Sequence, residues 1–95
     1  PIIGFDTDAE AIEIANNSVF GLSSCVFSRD QKRAFKIANA MEAGEAVING
    51  ASFYRSFEMP FGGWKHSGIG TEGVMSTFNE MTKIKTVVLK NIIEA

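Results

Sequence analysis

Four features of this chain have residue types that could do chemistry: Cys25, His66, Arg55 and a glycine-rich run over residues 68–73. Cys25 is the single cysteine, and a thiolate is a nucleophile. It lies between Ser24 and Val26 in a short apolar run, the setting of a small structural hydrophobe. One cysteine forms no internal disulfide, so a reducing, cytoplasmic setting is the simplest expectation. His66 is the sole histidine; with no His/Cys/Asp cluster at metal-ligand spacing, a surface position is expected and no metal site. Gly68-Ile69-Gly70-Thr71-Glu72-Gly73 fits G-x-G-x-x-G. A dinucleotide fingerprint needs a strand directly before it and an acid about 20 residues on. Here a glycine-rich loop precedes it and that acid position falls in a lysine-bearing tail. Loop and helix-start geometry is the better account.

The elements that must position these residues are legible in turn. Pro1-Ile2-Ile3-Gly4-Phe5 is short and apolar enough for a strand. Thr7 with Glu10 is a capping-box signature and predicts a helix over residues 8–16. Ser24 to Ser28 reads as a second strand, and Asp30 as the N-cap of a helix whose face is Ala34, Ile37, Ala38 and Met41. Gly44 stands where a helix end favours a left-handed residue. Ala46 to Asn49 reads as a third strand, residues 72–81 as a helix with Val74, Met75, Phe78 and Met81 on its apolar side, and residues 84–90 as a last strand. The expected fold class is therefore α/β: a partial parallel sheet in the order β-α-β-α-β, then a long loop, a helix and a C-terminal strand. Right-handed crossovers would put the first two helices on one face and leave the other uncovered, as in part of a larger fold. The expected division is residues 1–82 as an incomplete domain and 83–95 as a strand and tail that associate with another chain.

Composition narrows the function classes. The chain has 95 residues, 45% of them hydrophobic and 21% charged, with a formal net charge of −2, as in ordinary globular protein. At this length a core is marginal without disulfides. No basic-aromatic patch points to nucleic acid, and no apolar run reaches membrane-spanning length. The start at Pro1 rather than methionine fits either processing or a fragment.

The longest connection reads GASFYRSFEMPFGGWKHSGIGTEG over residues 50–73. Long ordered loops in compact domains are commonly functional. Met59 to Gly70 resembles the PFGGxKxSGxG segment near the C-terminus of NAD(P)-dependent aldehyde dehydrogenases. The stretches Ala15 to Leu22, Val26 to Asp30 and Ala43 to Asn49 resemble further motifs of that family in the same order. The match covers nearly the whole chain, and its flavour is lactaldehyde- or succinate-semialdehyde-like.

The resemblance implies an oxidoreductase that oxidises an aldehyde to an acid with NAD or NADP. A cysteine thiolate attacks the aldehyde, hydride leaves for the nicotinamide, and a glutamate activates the water that hydrolyses the thioester. In family order that cysteine, that glutamate and the oxyanion asparagine all lie upstream of Pro1. The stretch present here would supply no catalytic residue and, alone, bind no cofactor. It would supply a pocket wall: Asn49, Tyr54, Arg55 and Phe61, with Phe61 also near the nicotinamide. It would further supply an oligomerisation strand carrying Lys83, Ile84, Thr86, Val87, Val88 and Leu89. Expected partners are further copies of the chain, as dimer or tetramer, or the missing N-terminal part of the enzyme, with the aldehyde only in the intact enzyme.

Arg55 has a sharper expectation attached. A guanidinium at the pocket rim could grip a substrate carboxylate in bidentate fashion, which points to hydroxy- or carboxy-bearing aldehydes. Where many family members carry an arginine–glutamate pair near the subunit interface, this chain has Thr71 and Lys83, and Glu72 is a candidate partner for Lys83. Two other functions compete with an inactive enzyme fragment: a self-associating interaction module, and a stand-alone dinucleotide-binding domain.

Overall fold

Thr7 opens the first helix. Its hydroxyl accepts the Glu10 N–H at 3.2 Å, and the Glu10 carboxylate reaches back to the Asp6 N–H at 3.0 Å. This is the expected cap with its return bond one residue earlier, and such caps contribute about 1 kcal/mol. In the computed structural model, which describes residues 1–91, the elements are α1 (Asp8–Asn16), β1 (Phe20–Gly21), β2 (Ser23–Val26), α2 (Gln31–Ala40), β3 (Glu45–Ile48), β4 (Trp64–Lys65) and α3 (Val74–Met81). Asp30 caps α2, its carboxylate accepting the Arg33 N–H at 3.1 Å.

The centre is β2–α2–β3. The two strands pair in parallel, Ser23 opposite Glu45 through Val26 opposite Ile48, joined by α2 as a crossover of the kind parallel pairing requires. Ala34 is fully buried, and Val26 nearly so. A sheet residue and its neighbour point to opposite faces. Val26 is buried, and Cys25 beside it is exposed. The expectation that Cys25 packs as a buried hydrophobe therefore fails, because α2 covers one face of the pair and leaves the other open.

Three further expectations change. Residues 1–5 form no strand, and Ile2 lies fully exposed, so the parallel sheet has two strands rather than three among the described residues. Residues 84–90 form none either, and Ile84 is 96% exposed. An apolar run of strand-like composition becomes a strand only beside a neighbour that takes its N–H and C=O groups. The same holds for α3, where Val74, Met75, Phe78 and Met81 make the apolar side but are all exposed. Gly44 is not a left-handed cap; α2 ends earlier, at Met41. Its N–H donates to the Gly21 carbonyl at 3.1 Å, and a Cβ there would run into the Gly62 carbonyl. The glycine is needed for close approach of two backbones.

A second small sheet was not expected. β1 and β4 pair antiparallel, Phe20 opposite Lys65 and Gly21 opposite Trp64, which closes the long loop onto the middle of the chain. The whole is elongated, 79 × 28 × 20 Å with a radius of gyration of 20.5 Å, where a compact domain of this length has about 12 Å. No helix of the described residues is long and apolar enough to cross a membrane.

Candidate pocket wall

The loop after β3 turns twice, with the Tyr54 N–H on the Ala51 carbonyl at 3.1 Å and the Met59 N–H on the Ser56 carbonyl at 3.3 Å. Its far end is pinned by an antiparallel bridge. Phe61 donates to the Glu72 carbonyl at 2.8 Å and Glu72 returns a bond to Phe61 at 2.7 Å. The Val74 N–H reaches the Phe57 carbonyl at 3.0 Å. The start of α3 thus sits against the loop, and a cavity of about 510 Å³ opens between Arg55–Phe57, Glu72–Val74 and Thr77.

Arg55 closes one side of it. Its guanidinium carbon lies 3.9 Å from the centroid of the Phe61 ring, over its face, and its Nη2 donates to Glu72 Oε1 at 3.0 Å. Cation–π stacking and the ion pair act on the same side chain, and Glu72 is itself tied by its backbone to Phe61. The three form a closed set. Glu72 therefore pairs with Arg55, and the expected pairing with Lys83 is not the one found.

The structure does not bring all the predicted wall residues together. Tyr54 shares the loop with Arg55 and is exposed. Asn49 lines a separate cavity with Phe27 to Arg29 and Gln31. It adopts φ 56°, and its amide is committed at both ends: Oδ1 accepts the Ser28 N–H at 2.8 Å, and Nδ2 donates to the Ser28 carbonyl at 3.0 Å. Lys83, Ile84, Thr86, Val87, Val88 and Leu89 lie in the exposed extended tail.

Several motif residues prove to be clamps. Lys65, with φ 53°, extends Nζ to the Asn16 carbonyl at 2.8 Å, to the Ser18 carbonyl at 3.1 Å and to Glu42 Oε2 at 2.8 Å. A cation at a helix C-terminus meets the unpaired carbonyls there. The Ser67 hydroxyl accepts the Gly21 N–H at 2.7 Å. Asn16 joins the ends of both helices, donating to the Ala40 carbonyl at 2.8 Å and accepting the Glu42 N–H at 2.9 Å. Sequence spacing flagged these stretches without revealing their partners, because the partners lie 23 to 49 residues away. Glu45 was missed altogether. It is buried, with Oε1 2.9 Å from the Ser23 hydroxyl and Oε2 without a hydrogen-bond partner among the described residues.

The G-x-G-x-x-G run has no free amide cradle at its end. Thr71 N–H donates to Glu80 Oε1 at 3.1 Å, Glu72 N–H to the Phe61 carbonyl, and Gly73 N–H to the Thr77 hydroxyl at 3.2 Å. Gly68, Gly70 and Gly73 all have positive φ, so the glycines serve the turn that leads into α3. His66 is exposed, its N–H bound to the Val19 carbonyl. No group of three or more His, Cys, Asp or Glu residues gathers to hold a metal among the described residues. Outside this region, the Arg33 guanidinium hydrogen-bonds Asp8 through Nε at 2.8 Å and holds the Asp8 carboxyl below its ordinary value of 3.8.

Comparison with known proteins sets this geometry in context. Residues 1–87 match the pattern of the Aldehyde dehydrogenase family. A lactaldehyde dehydrogenase from Methanococcus maripaludis is 47% identical over 92 residues, 97% of this chain and 20% of that protein. An NADP-dependent glyceraldehyde-3-phosphate dehydrogenase from Apium graveolens is 45% identical, over 94% of this chain and 18% of that protein. Among solved structures, a salicylaldehyde dehydrogenase from Pseudomonas putida G7 in complex with salicylaldehyde superposes with a TM-score of 0.82 at 36% identity, covering 96% of this chain and 19% of that one. A betaine aldehyde dehydrogenase from Staphylococcus aureus in complex with NAD+ gives 0.77 at 40% identity, over 82% and 15%. The chain spans about a fifth of the length of the curated relatives it matches.

Proposed function

Because the chain belongs to the aldehyde dehydrogenase family, we propose that it is a segment of an enzyme that oxidises an aldehyde to a carboxylic acid with NAD or NADP, and that it forms one wall of the aldehyde pocket. The observation that carries this reading is the Arg55–Glu72 pair lining the 510 Å³ cavity, with the Phe61 ring packed beneath the Arg55 guanidinium and lining a neighbouring cavity with Gly62, Gly63 and Ser67. An aromatic face and a shaped cavity exclude water and orient a small carbonyl compound. Within this reading Phe61, Tyr54 and Arg55 contribute the wall, and Asn49 supports it by fixing the loop after β3 to Ser28. The nucleophile and the base come from outside this stretch, and Cys25 serves neither role.

NAD or NADP supplies the hydride acceptor when bound. The residues present fit only its nicotinamide end, through the Phe61 ring. The Thr71, Glu72 and Gly73 amides already donate within the chain, so the helix-proximal half of the G-x-G-x-x-G run offers a pyrophosphate no free donors. The chain alone binds no cofactor and has no activity. Residues 1–82 belong to the catalytic domain and 83–95 to an association tail, working in a reducing, cytoplasmic setting.

The full-length enzyme carrying this stretch should reduce NAD or NADP with an aldehyde, and the 95-residue chain should not. Phe61→Ala should lower kcat/KM by about tenfold to a hundredfold through lost positioning. No turnover by the full-length protein with any aldehyde defeats the proposal.

The exposure of Val87, Val88 and Leu89 favours a second role beside the first, self-association through the tail. Light scattering of the chain should then show a dimer or larger species, and a stable monomer counts against it. A micromolar NAD constant by calorimetry would revive the dinucleotide-binding alternative.

A further inference from the structure

Ser23 has a single hydroxyl proton and two oxygens within reach of it. Its Oγ lies 2.7 Å from the Ser52 carbonyl and 2.9 Å from Glu45 Oε1, both inside hydrogen-bonding range for a hydroxyl. A carbonyl only accepts, and so does an ionised carboxylate. A single proton therefore makes a full bond to only one of them. Another proton completes the set, and the group that can carry it is the Glu45 carboxyl. As an acid, Glu45 donates to Ser23 Oγ and Ser23 donates to Ser52.

The surroundings fit that form. Glu45 is 8% exposed, and its Oε2 has no hydrogen-bond partner among the described residues. An unpaired carboxylate is costly to bury; a neutral carboxyl with an unbonded carbonyl oxygen costs far less. Ser23, Cys25 and Glu45 share the face of the β2–β3 pair opposite buried Val26. The titratable groups on that side are Cys25 of β2 and Tyr54, Arg55 and Glu58 of the loop after β3. Arg55 is held by Glu72, and no ion pair among the described residues includes Glu45. The consequence reaches the pocket wall through Ser52. It lies inside the turn closed by the Tyr54 N–H on the Ala51 carbonyl, and that turn delivers Tyr54 and Arg55.

We infer that Glu45 is a positioning residue for the pocket wall, acting through Ser23. In its acid form it leaves the Ser23 proton on the Ser52 carbonyl and fixes the turn. As a carboxylate it draws that proton to itself and releases the turn. Glu45 touches no reacting atom, and the inference rests on the dehydrogenase reading above.

The test follows kcat/KM for lactaldehyde in the full-length enzyme from mildly acid to mildly alkaline pH. Each value is taken as a ratio between two forms of the protein, so that groups titrating in both cancel. Glu45→Gln keeps the shape and donates to Ser23 through its amide at every pH. Wild type over Glu45→Gln should be level in acid and fall about fivefold in alkali, the worth of one hydrogen bond. Ser23→Ala removes the relay at every pH. Wild type over Ser23→Ala should start about fivefold in favour of the wild type and fall toward equality as pH rises. This comparison stands by itself should Glu45→Gln fail to fold. A ratio in either pair that does not change with pH overturns the inference and leaves the dehydrogenase reading intact. A wild type that oxidises neither lactaldehyde nor any other aldehyde overturns both.

Discussion

The loop of residues 50–73 and the tail of residues 83–91 are both rich in apolar residues, and the structure treats them oppositely. The loop turns back on the chain at every few residues. Its backbone bonds to Glu72, Phe57 and Val19, and its side chains reach Asn16, Ser18, Gly21 and Glu42. The tail carries Ile84, Val87, Val88 and Leu89 into solvent. Apolar content is alike; what differs is whether the chain itself offers partners for the backbone. The lesson is that the glycine-rich motif is organised by this stretch alone, whereas the tail packs against none of the described residues.

The comparison breaks most readily at Gly44. Gly44→Ala pushes a Cβ into the Gly62 carbonyl, and one backbone must give way. Unfolding of the full-length protein in urea should show a loss of about 1–3 kcal/mol, with the loop around Gly62 losing hydrogen-exchange protection. An unchanged midpoint would mean that the loop is positioned from elsewhere.

A smaller effect on folding is expected in the tail. Val88→Asp should change unfolding free energy in the monomeric chain by no more than about 0.5 kcal/mol, while light scattering shows weaker association. A large loss of stability in the monomer would place the tail among this chain's own contacts and erase the contrast.

The smallest effect concerns the exposed ion pair that ties α1 to α2. Asp8 has a pKa lowered first by its hydrogen bond with Arg33, and then by the charges of Arg33 and Lys36. A carboxylate whose pKa is lower folded than unfolded stabilises the fold above the unfolded value and loses that contribution as pH falls through the folded one. The difference in stability between wild type and Arg33→Met should therefore be steady above pH 3.8 and vanish below it. Acid titration followed by circular dichroism checks this, and a difference that grows on acidification would reverse the assignment.

Local signals were the legible ones. Thr7 and Asp30 marked both N-caps, and Ala34, Ile37, Ala38 and Met41 marked the inner face of α2, because caps and periodicity depend on residues three to seven apart. The Met59–Gly70 motif located the candidate wall and its family. Pairing was illegible where it depended on distant partners. Nothing in Phe20-Gly21 announces Trp64-Lys65 as its neighbour, and nothing in Ile2-Ile3 or Val87-Val88 announces that no strand lies alongside. Arg55 stood out as a candidate wall residue, but Glu72 was offered as a candidate partner for Lys83 rather than for Arg55, since charge type alone does not choose between two cations. Cys25 was misplaced because burial depends on which face of β2 is covered.

The strand registers also bear on the order in which the molecule assembles. Ser23 meets Glu45 across 22 residues, and Phe20 meets Lys65 across 45. Doubling a loop raises its closure cost by only about 0.6 kcal/mol, so distance scarcely separates the two events. What separates them is the return: four register pairs and a buried Ala34 for the first, two pairs on an exposed ladder for the second. Folding should therefore nucleate at β2–α2–β3, with the glycine-rich loop docking late onto a surface already formed and the pocket wall among the last parts of the chain to acquire its shape.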